Sequence, residues 1–432
     1  MKGEQAAATF VGFGFGAIQA GLFLYEARVS GNFHRLVVAE VMLDVVSAVR
    51  QAGGQYTINI AHTDGIEQAT VGPLDIYDPA DTADRAQLVA AIASAAEMAT
   101  AVPSVHHYAG DSPGSIHRLL AEGLLRKLQI GGPRAVIYAA ENHNHAAEIL
   151  EQQVRSLVPV DAQPAVFDRV RFVNTVIGKM SGVITAGDGL APITPGSTRA
   201  FLVEDFNRIL VSRIDFAQTA DATPFVRGIQ VFQEKENLLP FEEAKLYGHN
   251  ALHAMAAYLG GLAGLRFMSE LSTSGGIVEF VRGAVIHEPG AALVRKYVGA
   301  DVIFTPAGFA DYADDLLVRM VNPHLRDAIE RVARDPQRKL GWEDRLVGAM
   351  RIALQGGVTP KRFAVGVAAA LAYLRPQDRT ADIDLLLSIW RGQQADENEM
   401  HVIAASVGAG WDVIQRWRAA DFPDLETFYQ LD

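Results

Sequence analysis

Apolar positions early in the chain come in short runs that do not alternate with polar ones. Ala8-Thr-Phe-Val-Gly-Phe13, Leu36-Val-Val-Ala39 and Ala135-Val-Ile-Tyr-Ala-Ala140 are the clearest. A half-exposed strand alternates, whereas a strand covered on both faces does not, so these runs predict a parallel sheet with helices on either side. Helical patterns such as Leu22-Phe-Leu-Tyr-Glu-Ala27 lie between them, as an α/β domain requires. Thr57-Ile-Asn-Ile60 predicts a further strand, and the Ala-, Gln- and Glu-rich stretch from Asp81 to Val102 predicts helix. The Gly/Pro-rich segment Gly187-Asp-Gly-Leu-Ala-Pro-Ile-Thr-Pro-Gly196 is the expected linker, giving domains at 1–196 and 197–432. Beyond it Arg199-Ala-Phe-Leu-Val-Glu204 reads as extended. From Pro240 onward the pattern is one of successive helices, so the second domain is expected to be mostly α-helical. Pro240 suits a first helical turn, with Glu242 and Glu243 favourably placed against the helix dipole.

Composition narrows the class. A chain of 432 residues, 49% hydrophobic and 20% charged, is expected to fold as two globular domains. A net charge of -12 argues against general nucleic-acid binding, which needs a basic surface. With no cysteine, thiolate nucleophiles, disulfides and Cys-ligated zinc are excluded. The N-terminus lacks a signal-peptide pattern, and the apolar run behind it is broken by Gly12, Gly14, Gly16 and Gly21. The longest apolar stretch, Phe363 to Leu374, is too short to span a bilayer and reads as a buried helix. A cytoplasmic protein with a small-molecule substrate and neither membrane nor nucleic-acid partner is the expectation. No feature marks an oligomeric interface.

The first strand runs into a glycine loop with two possible registers. Gly12-x-Gly14-x-x-Ala17 fits the dinucleotide fingerprint, while Gly14-x-Gly16 places Gln19 where a third glycine is usual. Such a loop lets backbone approach a pyrophosphate at a helix N-terminus. Glu40, ending the second strand, would accept from a ribose 2′-hydroxyl and repel a 2′-phosphate, favouring NAD over NADP. Gly12, Gly14, Gly16, Ala17, Ile18, Glu40 and Val102 are the expected cofactor contacts.

The second concentration of chemistry is Lys245-Leu-Tyr-Gly-His-Asn250-Ala-Leu-His253, set among apolar residues. At ~100° per residue of α-helix, Glu242 falls near ~60°, His253 near ~80° and Asn250 near ~140° from Lys245. Burying an ammonium is costly, so the lysine either snorkels to water or is a base of lowered pKa. His249, on the same arc, either lines a substrate site or is a hydrogen-bonded helix histidine.

Lysine, asparagine five later and histidine eight later is the pattern of the polyol-specific long-chain dehydrogenase/reductase family, which this chain resembles. The resemblance extends through Phe13-Gly-Phe-Gly-Ala-Ile18, Ala140-Glu-Asn142, Glu236-Asn-Leu-Leu-Pro-Phe-Glu-Glu-Ala-Lys245, Arg319-Met-Val-Asn322-Pro and Glu330-Arg-Val-Ala-Arg-Asp-Pro-Gln-Arg-Lys-Leu340. It is nearest to members acting on a polyol phosphate, although Gln19 and Gly178 depart from the usual pattern. The resemblance implies a Rossmann-type N-terminal domain, a mostly helical C-terminal domain, a nicotinamide cofactor and no metal, with the site in the cleft between the domains. It implies Lys245 as general acid/base, Asn250 and Asn142 as amides polarising the reacting oxygen, and His253 as a positioning residue. Glu242 would assist proton exchange, and Arg319, with Asn322, would bind substrate. The implied reaction interconverts mannitol 1-phosphate and fructose 6-phosphate. A free polyol or a hexuronate as substrate stays open, as does a silent NAD-binding sensor. The basic stretch Arg331, Arg334, Arg338, Lys339 and Arg345 is the candidate phosphate site or a solvated helix end. Zinc at His143 and His145 with Glu141, or at His249 and His253, is the competing reading of the histidines.

Overall fold

The uninterrupted apolar runs form the middle of an eight-stranded sheet. The computed structural model describes residues 8–217, 225–378, 380–393 and 395–431. Six strands of the sheet are parallel, lying in the order Asp75–Tyr77, Phe33–Ala39, Ala8–Phe13, Ala95–Thr100, Ala135–Ala139, Val170–Val176. Numbered along the chain, that is the 3-2-1-4-5-6 order of a Rossmann domain. Successive residues of one strand serve different cores. Phe10, Val38 and Ala99 pack on one face, Val11, Val37 and Met98 on the other, which is why the runs do not alternate. Leu210–Ser212, antiparallel to Val170–Val176, and then Gln233–Lys235 extend one edge.

A second sheet has four strands, ordered Ile66–Val71, Tyr56–Ala61, Arg199–Glu204, Ser181–Thr185. It lies against the first helix. Tyr56 donates its hydroxyl to the Ala20 carbonyl at 2.9 Å. A Cβ at Gly21 would stand 2.5 Å from Val203 Cγ1, so only glycine permits this approach.

Two expectations need correcting. The Asp81–Val102 stretch is not one helix: Thr82–Ser94 is helical and Ala95–Thr100 is a central strand. Its alanines favour helix, but pairing on both edges and burial on both faces override that local preference. The Gly/Pro segment ending at Gly196 does not divide the chain either. Arg199–Glu204 pairs with Tyr56–Ala61, and the compact units are Met1–Leu238 and Leu239–Asp432.

The named elements of the second unit are all helices among its described residues. Lys361–Leu374 is its buried centre. Glycines let neighbours approach this helix: a Cβ at Gly410 would lie 2.5 Å from the Ala364 backbone, and one at Gly366 would meet Met255 at 2.8 Å. Among the described residues no helix is long and apolar enough to cross a membrane.

Candidate active site

In the first unit, Ala8–Phe13 and Ala95–Thr100 are neighbours whose flanking strands run off in opposite directions, the switch point at which such sheets bind ligands. Gly14 leaves the first strand with φ +84°, and a Cβ there would lie 2.9 Å from the Ala101 carbonyl oxygen and 3.2 Å from Val102 Cγ1. Two expected cofactor residues, Gly14 and Val102, are thereby brought together. The space a Gly16 side chain would enter is open, with no atom within 4 Å. Ala17 and Ile18 begin the helix. Both oxygens of Glu40 accept backbone N–H groups, from Phe15 and Met42 at 2.8 Å each, so Glu40 pins the loop to the second strand. Each oxygen keeps a second lone pair for a sugar hydroxyl. Gln19 is fully buried, and neither end of its amide has a hydrogen-bond partner. A Cβ on Gly12 would lie 2.3 Å from Gln19 Nε2, so Gly12 makes the room that Gln19 uses. Gly14→Ala should cost about 1–2 kcal/mol for the left-handed backbone alone. A fluorescence titration should show weakened NADH binding, and unchanged binding would contradict this reading of the loop.

Asn142 is exposed just past the carboxyl end of Ala135–Ala139. The residue before it, Glu141, points inward. It accepts from Thr100 Oγ1 at 2.8 Å, from the Val102 amide at 2.9 Å and from the Tyr108 hydroxyl. Burial pushes its carboxyl up against those hydrogen bonds. Glu141 thus clamps the ends of two adjacent strands and sets where Asn142 emerges, a role that sequence reading missed. With Glu141 turned inward, His143 and His145 gain no third ligand among the described residues. His143 Nδ1 instead accepts the His145 amide at 3.1 Å.

In the second unit, Ala244–Asn250 is a π turn, not α-helix, between Leu239–Glu243 and Ala251–Leu262. This corrects the angular reckoning. A π turn closes hydrogen bonds five residues apart, so residues five apart are about one turn apart. Asn250 therefore stacks along the helix from Lys245 rather than ~140° away from it. Lys245 is partly buried, and burial followed by the charge of Arg345 pushes its ammonium down to about 8, against the opposing pull of Glu242. His249 is buried, and burial, then His253, Arg319, Lys245 and Arg345, hold it well below the ordinary range. Besides burial, the charge that lowers Lys245 is therefore that of Arg345.

The chain matches the Mannitol dehydrogenase C-terminal domain model over residues 237–406. It is 30% identical over 360 residues to mannitol-1-phosphate 5-dehydrogenase of Bacillus licheniformis, covering 83% of this chain and 86% of that protein. The chain belongs to the mannitol dehydrogenase family. The fold is that of a D-sorbitol dehydrogenase solved without substrate, with TM-score 0.74 and 15% identity over 96% of this chain and 94% of that one. Pseudomonas fluorescens mannitol 2-dehydrogenase, solved with NAD and D-mannitol, gives 0.65 and 16% over 99% and 95%.

Of the expected site residues, Lys245, Asn250, His253, Glu242, Arg319 and Asn322 lie in the part matched by the mannitol dehydrogenase model, and Asn142 and the glycine loop lie outside it. His253 Nε2 faces Asp327 Oδ2 at 3.1 Å, an ion-pair distance off the ideal hydrogen-bond angle. Asp327 Oδ1 accepts from Arg331 at 2.9 and 2.6 Å. Arg319 Nη1 lies 3.2 Å from Asp315 Oδ2, one turn earlier. Asn322 accepts the His324 amide at 2.9 Å through its side-chain oxygen and so caps a short 3-10 turn, the competing role for an asparagine at that place.

The basic stretch divides by partner. Arg331 belongs to Asp327, and Lys339 is buried, donating to the carbonyls of Val332 and Arg334. Arg334 is exposed. Asp344 is shared, accepting from Arg338 at 2.9 Å and from Nε of Arg345 at 2.7 Å. Arg345 opens the helix Arg345–Gln355, which packs on the Lys245 turn: a Cβ at Gly348 would lie 2.4 Å from Tyr247 Cε1. Of the stretch, Arg345 is the residue whose charge is felt at Lys245.

Proposed function

We propose that this member of the mannitol dehydrogenase family is an NAD-dependent dehydrogenase interconverting mannitol 1-phosphate and fructose 6-phosphate, with Lys245 as its acid and base. The observation that carries the reading is a lysine brought down to about 8 on the same turn as an asparagine amide. In the oxidation direction, neutral Lys245 takes the proton of the substrate hydroxyl. Asn250 donates its amide N–H to the oxygen as negative charge develops there, which stabilises the transition state more than the ground state. Asn142 is the first unit's candidate for a second such amide. The nicotinamide supplies the hydride chemistry. In the reverse direction the ammonium of Lys245 returns the proton, Glu242 exchanges it with water, His253 orients the substrate and Arg319 holds its chain.

The glycine loop fits a dinucleotide: it is open over Gly16, tight at Gly14 and backed by Glu40. A carboxylate there favours NAD over its 2′-phosphate. The phosphate of the substrate is supported by surplus positive charge. Asp344 must serve two arginines, and Arg345 carries its cation close enough to depress Lys245.

The test is oxidation of NADH, and separately of NADPH, by fructose 6-phosphate, fructose and fructuronate. Turnover of fructose or fructuronate alone would replace the phosphate substrate, and a preference for NADPH would contradict the role of Glu40. Arg345→Gln should raise KM for fructose 6-phosphate at least tenfold, in keeping with a charge-assisted contact of roughly 1.5–3 kcal/mol. It should also move the pKa in the rate profile upward from about 8, because a depressing charge is removed. An unchanged KM and profile would release Arg345 from both roles.

A further inference from the structure

The π turn that carries Lys245 and Asn250 is met from outside by the side chain of Tyr312. Tyr312 sits on the helix Pro306–Met320. Its hydroxyl lies 3.4 Å from the Ala244 carbonyl oxygen, to which it donates, and it also hydrogen-bonds the backbone of His249. Ala244 and His249 are five residues apart, the spacing that a π turn closes and an α turn does not. The phenol therefore stands at the widened rung, and a side chain inserted into the ladder is a recognised cause of such departures. Burial raises the pKa of this hydroxyl, so it stays protonated and able to donate. Gly248 completes the arrangement: a Cβ there would come within 3.3 Å of Tyr312 Cε1, so the glycine leaves room for the ring. Seven residues further along the same helix, about two turns, is Arg319.

We propose that Tyr312 is a positioning residue that keeps the Lys245 turn in its π form and ties the Arg319 helix to it. The catalytic consequence rests on the function proposed above, because it matters only if Lys245 and Asn250 act on one oxygen. Without the hydroxyl, the Ala244 carbonyl and His249 amide are left at the rung with only each other, and an α turn becomes the better solution. Asn250 then rotates off the line of Lys245, toward the ~140° separation of an α-helix.

The test is Tyr312→Phe, which keeps the ring and removes one oxygen. Amide hydrogen exchange of His249 and Asn250 should change while that of the Ala251–Leu262 helix does not. In the same variant, kcat for fructose 6-phosphate should fall roughly 10²-fold, the scale of losing one oxyanion donor. The pKa of its rate profile should move from about 8, and NADH affinity should hold. Gly248→Ala should act in the same direction even though alanine is the better helix former. Unchanged exchange in Tyr312→Phe overturns the proposal. Changed exchange with wild-type kcat and pH profile overturns the positioning role. If the wild-type protein reduces none of the sugars, the proposed function fails, while the exchange comparison still decides whether Tyr312 holds the turn.

Discussion

Lys245→Met is expected to lower kcat by roughly 10²–10⁴-fold, the usual contribution of a positioned acid or base, with no loss of NADH binding. Methionine keeps the length and apolar body of the side chain and deletes only the ammonium. The expected cofactor residues belong to the other compact unit. On the mechanism proposed above, polyol oxidation needs neutral Lys245, so its rate should rise with pH through about 8, and ketose reduction should fall over the same range. The stability effect has a definite sign. A lysine at about 8 when folded and about 10.4 when unfolded binds fewer protons in the fold between those values. It therefore costs stability fully below pH 8, and the cost fades as pH rises toward 10. Lys245→Met should consequently be the more heat-stable protein at neutral pH, with its advantage shrinking at alkaline pH. Wild-type turnover in the variant would remove the lysine from the chemistry. Lost NADH binding would mean that its effect is not local.

The parts of the molecule that could be read from sequence are those set by local pattern. Val37 and Val38 each serve a different face of the sheet, and a run of such residues announces that without reference to any partner. Lys245, Asn250 and His253 were found together because one short segment carries all three. What escaped depends on residues distant in the chain. Ala95–Thr100 is a strand because of its two neighbours, against its own alanine content. The first unit ends at Leu238 rather than at the Gly/Pro segment because Arg199–Glu204 finds its parallel partner more than 130 residues earlier. The π form of the Lys245 turn is tied to Tyr312 on another helix, and no periodicity within the turn itself reports it. Glu141 looked like a metal ligand beside two histidines, until Thr100, Tyr108 and Val102 claimed its oxygens. The basic stretch after residue 330 presented five cations of equal standing, and only the charge felt at Lys245 separated Arg345 from the rest.

Asp327→Ala is expected to cost about 3 kcal/mol, the lower end of what breaking a buried ion pair costs. The lower end applies because Arg331 is 43% exposed and can turn to water. Burial alone pushes the Asp327 carboxyl up, but the nearby His253, followed by Arg331, outweighs it and holds it below the ordinary range. A carboxyl depressed in the fold contributes stability that is present above its unfolded value, about 3.9, and lost as pH falls through the folded one. The difference in unfolding free energy between Asp327→Ala and wild type should therefore be largest near pH 7 and vanish in acid. The same contact bears on the chemistry. Asp327 Oδ2 stands 3.1 Å from His253 Nε2, so on the function proposed above the carboxylate helps hold the ring that orients the substrate. Asp327→Asn preserves volume but removes the charge facing His253, so it should lower kcat as well as the melting temperature. A variant that loses stability with the pH dependence described but keeps full kcat would confine Asp327 to holding the fold.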